Sequence, residues 1–138
     1  MSSLKETFNK SERLCSTKAI SILFESGNIF YTSIFKIIWH KSIVPLPYPA
    51  QVAFSVSKKG FRLAVTRNLI KRRMREAYRK NKQKLYEQLS SENIQITFVV
   101  ILTGNAVPDY LTIEKSMQEM INKLITIVKE EKVGVLKI

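Results

Sequence analysis

The chain has 138 residues, 45% hydrophobic and 25% charged, with 23 Lys and Arg against 11 Asp and Glu for a formal charge of +12. That length suits a single domain over 1–138 with one core, the composition excludes a disordered chain, and the charge points to a polyanionic partner. One cysteine, Cys15, and one histidine, His40, exclude an internal disulfide framework and a multi-cysteine zinc site.

Ser2 to Ser16 carries Lys5, Glu6, Lys10, Glu12 and Arg13 with no apolar run, unlike a signal peptide, so the expected location is cytoplasmic. The longest strongly apolar stretch, Phe98 to Leu102, is far short of the roughly 20 residues a membrane-spanning helix needs. Residues 1–12 and 130–138 are expected to be loose termini. A first helix is capped by Ser16 or Thr17, carries Ile20, Leu23 and Phe24 at helical spacing, and ends at Gly27. From Ser33 to His40 the pattern alternates, with Phe35, Ile37 and Trp39 on one face and Ile34, Lys36, Ile38 and His40 on the other, which predicts a strand. Pro45, Pro47 and Pro49 mark an extended connection. Gln51 to Ser57 reads as a second strand with Val52, Phe54 and Val56 toward the core.

The period then changes. From Ala64 or Thr66 to about Asn81 a helix places Ile70, Met74, Ala77 and Tyr78 on one stripe and Asn68, Arg72, Arg75 and Arg79 on nearly the opposite one. A helical continuation covers Leu85 to Leu89, broken by Ser90, Ser91 and Asn93. Ile94 to Leu102, rich in β-branched residues, predicts a central strand. After a turn at Gly104 to Pro108, Thr112 to about Lys129 places Ile113, Met117, Met120, Ile121, Leu124 and Val128 on one helical face. The order α-β-β-α-β-α implies an α/β (α+β) two-layer sandwich. The expected central mixed sheet has about four strands, the three read above among them, with an N-terminal helix, a long basic crossover helix and a C-terminal helix.

Between Lys58 and Lys84, 12 Lys and Arg residues stand against the single acid Glu76, so nearly all the net charge is local. A merely solvated helix face mixes signs to gain pairing energy, and this one forgoes it. A phosphate backbone offsets such repulsion. Arginine predominates on the helix, and its planar fork can grip a phosphate with two hydrogen bonds. Asn68 can donate to phosphate or ribose or read a base edge, and a phosphate can meet free backbone N–H groups where Lys58 and Lys59 lead into the helix. With six to ten phosphates contacted, affinity falls by about 10³ to 10⁵ between about 50 and 200 mM salt.

Three runs carry a resemblance: Phe54-Ser55-Val56-Ser57-Lys58-Lys59, Ala64-Val65-Thr66-Arg67-Asn68-Leu69-Ile70-Lys71-Arg72, and Arg75-Glu76-Ala77-Tyr78-Arg79. Their residues and spacing resemble the signature of the bacterial ribonuclease P protein subunit, S-x-K-K, A-V-x-R-N-R-x-K-R and R-E-A-[FY]-R. The likeness extends through Phe24-Glu25-Ser26-Gly27 upstream, and downstream through Ile94 to Leu102 and Ile113-Glu114-Lys115-Ser116. One departure is Leu69, where the family has arginine. It lies about 60° beyond the Arg72 edge of the basic face.

The resemblance implies a ribosomal protein S5 domain 2-like fold and a helper of a catalytic RNA. In that family the RNA subunit, with Mg2+, hydrolyses the bond that releases the 5′ leader from precursor tRNA, and the protein alone is inactive. The implied partners are the catalytic ribonuclease P RNA and precursor tRNA, with no membrane and no small-molecule substrate. RNA binding falls to Lys58, Lys59, Arg62 and Arg67, and to Asn68, Lys71, Arg72, Arg75 and Arg79; a leader cleft falls to Phe24, Lys36, Ile38 and His40. No catalytic or metal-binding residue and no cofactor of the protein's own is implied.

Other readings explain less. A protein-only nuclease needs clustered carboxylates or a histidine pair, yet Asp109 is the only aspartate, Glu76 stands alone among cations, and His40 has no histidine partner. A ribosomal or other structural RNA-binding protein shares the basic helix but not the joint spacing of the motifs. A helix-turn-helix protein needs a helix before its recognition helix, where this chain predicts a strand. A membrane-surface helix needs its apolar stripe free, and Ile70, Met74, Ala77 and Tyr78 suit packing on the sheet.

Overall fold

The computed structural model describes residues 8–42 and 44–134. In chain order it has helix α1 (Thr17–Ser26), strands β1 (Asn28–Tyr31), β2 (Phe35–Lys41) and β3 (Ala50–Val56), helices α2 (Ala64–Asn81) and α3 (Gln83–Glu92), strand β4 (Ile96–Leu102) and helix α4 (Tyr110–Gly134). The strands form one sheet in the order β1-β2-β4-β3. β4 lies inside it, antiparallel to β2 and parallel to β3, and all its residues but Ile101 are buried. A continuous apolar run suits a strand covered on both faces.

The two faces are sorted by alternation. Phe35, Ile37 and Trp39 of β2, Val52 and Val56 of β3, and Ile96, Phe98, Val100 and Leu102 of β4 face α2, α3 and α4 in the main core. Ile38 and Val99 point the other way, where Leu14 and Leu23 bury them beneath α1. All four predicted core residues of α2 (Ile70, Met74, Ala77, Tyr78) are fully buried, as are or nearly are the six of α4. Each such large side chain contributes about 1.5–3 kcal/mol on leaving water. The crossover helix is thereby fixed in rotation, apolar stripe inward and cations outward.

α1 begins where predicted: Ser16 Oγ accepts from Ala19 N at 3.2 Å. Its C-cap, Gly27, is needed for close approach. A Cβ there meets the Leu23 carbonyl oxygen at 2.5 Å and Ile38 Cγ2 at 2.6 Å. Gly27→Ala is therefore expected to push α1 off the sheet and lower stability by about 1–3 kcal/mol, the usual cost of overpacking, read as a lower denaturant midpoint.

Two features correct the predicted element order. β1 is an additional strand, paired antiparallel with β2; it has only four residues, three of them exposed, so no apolar alternation announced it. The continuation after α2 is a separate ten-residue helix, α3, which runs through Ser90 and Ser91 to Glu92. It stops only at Asn93, which takes the left-handed conformation at φ 56, a helix-ending geometry asparagine tolerates. Of the expected loose ends, residues 1–7 and 135–138 lie outside the described residues. Residues 130–134 continue α4, and 10–12 form a short turn that docks beside β3, where Leu14 N donates to Val52 O at 2.9 Å.

Candidate nucleic-acid interface

The cations of α2 are separated by what each side chain touches. Asn68, Arg72 and Lys80 are exposed, while Arg67, Lys71, Arg75 and Arg79 are half-buried along the flanks. Arg79 forms a two-pronged pair with Glu76, Nε to Oε1 at 3.1 Å and Nη2 to Oε2 at 2.7 Å. The pair holds Glu76 below the usual carboxylate range, the hydrogen bond from Arg79 being the main cause. The helix's one acid is thus engaged by one arginine. Arg67 turns back on the entry loop and donates from Nη1 to Phe61 O at 2.8 Å and Arg62 O at 3.0 Å, bracing the segment that carries exposed Arg62. Arg73 reaches the other way, to Pro108 O at 3.0 Å, and ties α2 to the start of α4.

Lys58 and Lys59 are exposed on a turn closed by Phe61 N donating to Ser57 O at 3.0 Å, and Lys59 N donates to Ser57 Oγ at 3.0 Å. Of the backbone N–H groups in this turn expected to be free for a phosphate, that of Lys59 is therefore taken. The helix start proper offers more, because Leu63 at the N-cap gives no side-chain acceptor to the first turn of α2. Gly60 lets this turn sit against the next loop, since a Cβ there lies 3.0 Å from the Gly104 oxygen.

The four residues assigned to a leader cleft differ in exposure. Ile38 is only 3% exposed, under α1, while Lys36 and His40 lie on either side of it along β2, both half-buried. His40 lines a recess of about 130 Å³ with Ala19, Ile22, Gln51 and Thr97, and its Nδ1 lies 2.7 Å from Lys41 O. Phe24 is 59% exposed on α1. The register adds what sequence reading missed: Tyr31, Lys36, Ile101 and Ser55 are cross-strand neighbours in one row over all four strands. Tyr31 is 57% exposed. Lys36 and Ile101 are half-buried and Ser55 is exposed, and an exposed aromatic ring beside an ammonium suits a single-stranded nucleic acid. Only β1 could have revealed Tyr31, and β1 was not legible.

Among the described residues no group of three or more His, Cys, Asp or Glu could hold an ion. Asp109 Oδ1 instead accepts from Thr112 N at 2.8 Å near the start of α4, and Glu12 is buried against Lys82.

Residues 8–125 match the family model for ribonuclease P. The chain belongs to the ribonuclease P protein family. It is 33% identical over 116 residues to the ribonuclease P protein component of Porphyromonas gingivalis, covering 84% of this chain and 85% of that one. The Chlorobium phaeobacteroides component is 31% identical over 128 residues, covering 86% and 88%. The fold is shared with the solved Staphylococcus aureus RNase P protein, at TM-score 0.65 and 23% identity over 83% of this chain and 95% of that one. It is also shared with the Thermotoga maritima protein, at 0.62 and 20% over 81% and 96%.

Proposed function

We propose that this chain works as the protein component of a ribonuclease P particle, binding its catalytic RNA through the exposed side of α2 and the Lys58–Lys59 turn. The observation that carries this is the orientation of α2. Its apolar stripe is fully buried, so the cations at Asn68's side of the helix are held outward as a fixed array rather than a flexible tail. Arg72, Arg75 and Lys71 supply phosphate contacts, Asn68 a ribose or phosphate donor, and Arg67 holds the loop that presents Arg62.

The 5′ leader of precursor tRNA is assigned to the sheet row Tyr31–Lys36–Ile101–Ser55, with Phe24 on α1 and His40, beyond Ile38 along β2, as further candidates. Bond cleavage falls to the RNA partner and its Mg2+, since the acids around this surface are engaged by Arg79, Lys82 and the start of α4. The compartment is the cytoplasm, where precursor tRNA is processed; no described helix is long and apolar enough to cross a membrane.

The test is a 5′-maturation assay at low magnesium comparing protein alone, a bacterial ribonuclease P RNA alone and the two together. Stimulation only in the mixture is expected. Cleavage by the protein alone, or no effect of the protein on the RNA, overturns the reading.

A further inference from the structure

Residues 8–12 belong to the terminus expected to lie loose, and instead the segment 8–14 brings a cation to α2 from a distant part of the chain. Leu14 N donates to Val52 O, and Arg13 pairs in parallel with Val52, so the segment extends the sheet beyond the β3 edge. Phe8 anchors it, with its ring 6.1 Å from that of Phe54 and 5.7 Å, edge-on, from that of Tyr78. The Arg13 guanidinium lies 5.7 Å above the Phe8 ring. Tyr78, at the edge of the buried stripe, is three residues along α2 from Arg75 and about 60° around the helix from it. The strap therefore delivers Arg13 to the side of α2 that carries Arg75 and Arg72.

We propose that Arg13, Arg72 and Arg75 form one binding site for a phosphodiester group of RNA, assembled from two chain segments. The site rests on the RNA-binding reading of α2 and adds the N-terminal strap to it. Among the described residues none of the three has a carboxylate partner: Glu76 is engaged by Arg79, and Glu12, next to Arg13 in sequence, is engaged by Lys82. Three guanidiniums gathered without a counter-charge repel one another. Arg75 registers this, its pKa lowered first by burial and then by Arg13 and Arg72. An anion held among them removes the repulsion and receives forked hydrogen bonds from more than one arginine.

Glu12 acts as a positioning residue for the same site. Its carboxylate accepts from Lys82 Nζ, from Tyr86 OH at 2.6 Å and from Asn9 N at 2.8 Å, which fixes the residue immediately before Arg13. The strap's other ties are Gln51 Nε2 to Ser11 O at 2.9 Å and Asn9 Nδ2 to Tyr48 OH at 2.7 Å. No ordered terminus is needed to hold a merely solvated arginine.

The experiment measures binding of the full chain to a bacterial ribonuclease P RNA as a function of salt. It compares wild type, Arg13→Gln, Arg13→Lys, Arg75→Ala and the Arg13→Gln/Arg75→Ala double variant. Gln keeps most of the stem over Phe8, and Arg13 is exposed, so melting should match wild type. Arg13→Gln is expected to weaken binding about tenfold and to flatten the salt slope by about one, with the slope largely restored by Arg13→Lys. In the Arg75→Ala background Arg13→Gln should cost less than it does alone, because the two arginines share one phosphate. Additive losses overturn the shared site. An Arg13→Gln variant that binds like wild type while Arg75→Ala is impaired overturns the site and leaves the α2 reading standing. If Arg75→Ala also binds like wild type, both fall.

Discussion

Replacing Lys82 by Met is expected to destabilise the protein by about 3–5 kcal/mol, because it strands a buried carboxylate without its cation. Glu12 is 0% exposed and Lys82 3%, and Lys82 Nζ also sits 5.8 Å from the Phe8 ring centroid and 5.1 Å from that of Tyr86. Burial, followed by the neighbouring Tyr78 and Glu12 oxygens, pushes the Tyr86 hydroxyl far above its ordinary range. It remains a donor to Glu12, but one neutral hydrogen bond does not replace an ammonium. A loss of that size is a large share of the 5–15 kcal/mol typical of a domain and should lower Tm by about 10 °C or more. The Glu12→Gln/Lys82→Met double variant removes both charges and should recover most of the loss, since a pair removed together costs far less than one partner removed alone. At a temperature where the variants stay folded, their RNA salt slope should flatten by no more than the about one unit that displacing Arg13 removes, Lys82 adding no phosphate contact of its own. Lys82 belongs to the basic run in sequence but not to the basic surface.

That distinction shows what the sequence made legible and what it did not. The stripes of α2 and α4, the alternation of β2, the Ser16 cap and the interior place of β4 all follow from local periodicity and local hydrogen bonding, and the structure has each of them. Lys82, by contrast, keeps right-handed helical angles between α2 and α3, so the break leaves no compositional mark. The strap has no periodicity at all. Its anchors join Glu12 to Lys82 and Tyr86, contacts separated by 70 and 74 residues, which no local pattern encodes.

On the candidate interface the same limit applied atom by atom. A helical wheel places Arg67 and Arg72 on the helix but cannot say that Arg67 folds back on two loop carbonyls while Arg72 stays in solvent. Ile38 and Lys36 occupy the same face of β2, yet only placement of α1 reveals that Ile38 is covered. The resemblance supplied a list of residues; packing separates the exposed side chains among them from braces and core.

Arg72→Ala and Arg75→Ala together should weaken binding to ribonuclease P RNA by about a hundredfold at low salt and reduce the salt slope by roughly one. Stability should change little, since Arg72 is exposed, Arg75 is half-buried, and removing Arg75 relieves its repulsion with Arg13. The affinity loss should shrink as salt rises, because the missing term is counterion release from phosphates rather than burial. The matched control is Lys18→Ala with Lys129→Ala, which removes the same net charge from exposed positions on α1 and α4. If charge acted only as a diffuse field, both pairs would flatten the slope alike. If α2 presents its arginines to particular phosphates, only the first pair does. Equal slopes in the two double variants would remove the oriented helix from the explanation and leave net charge alone.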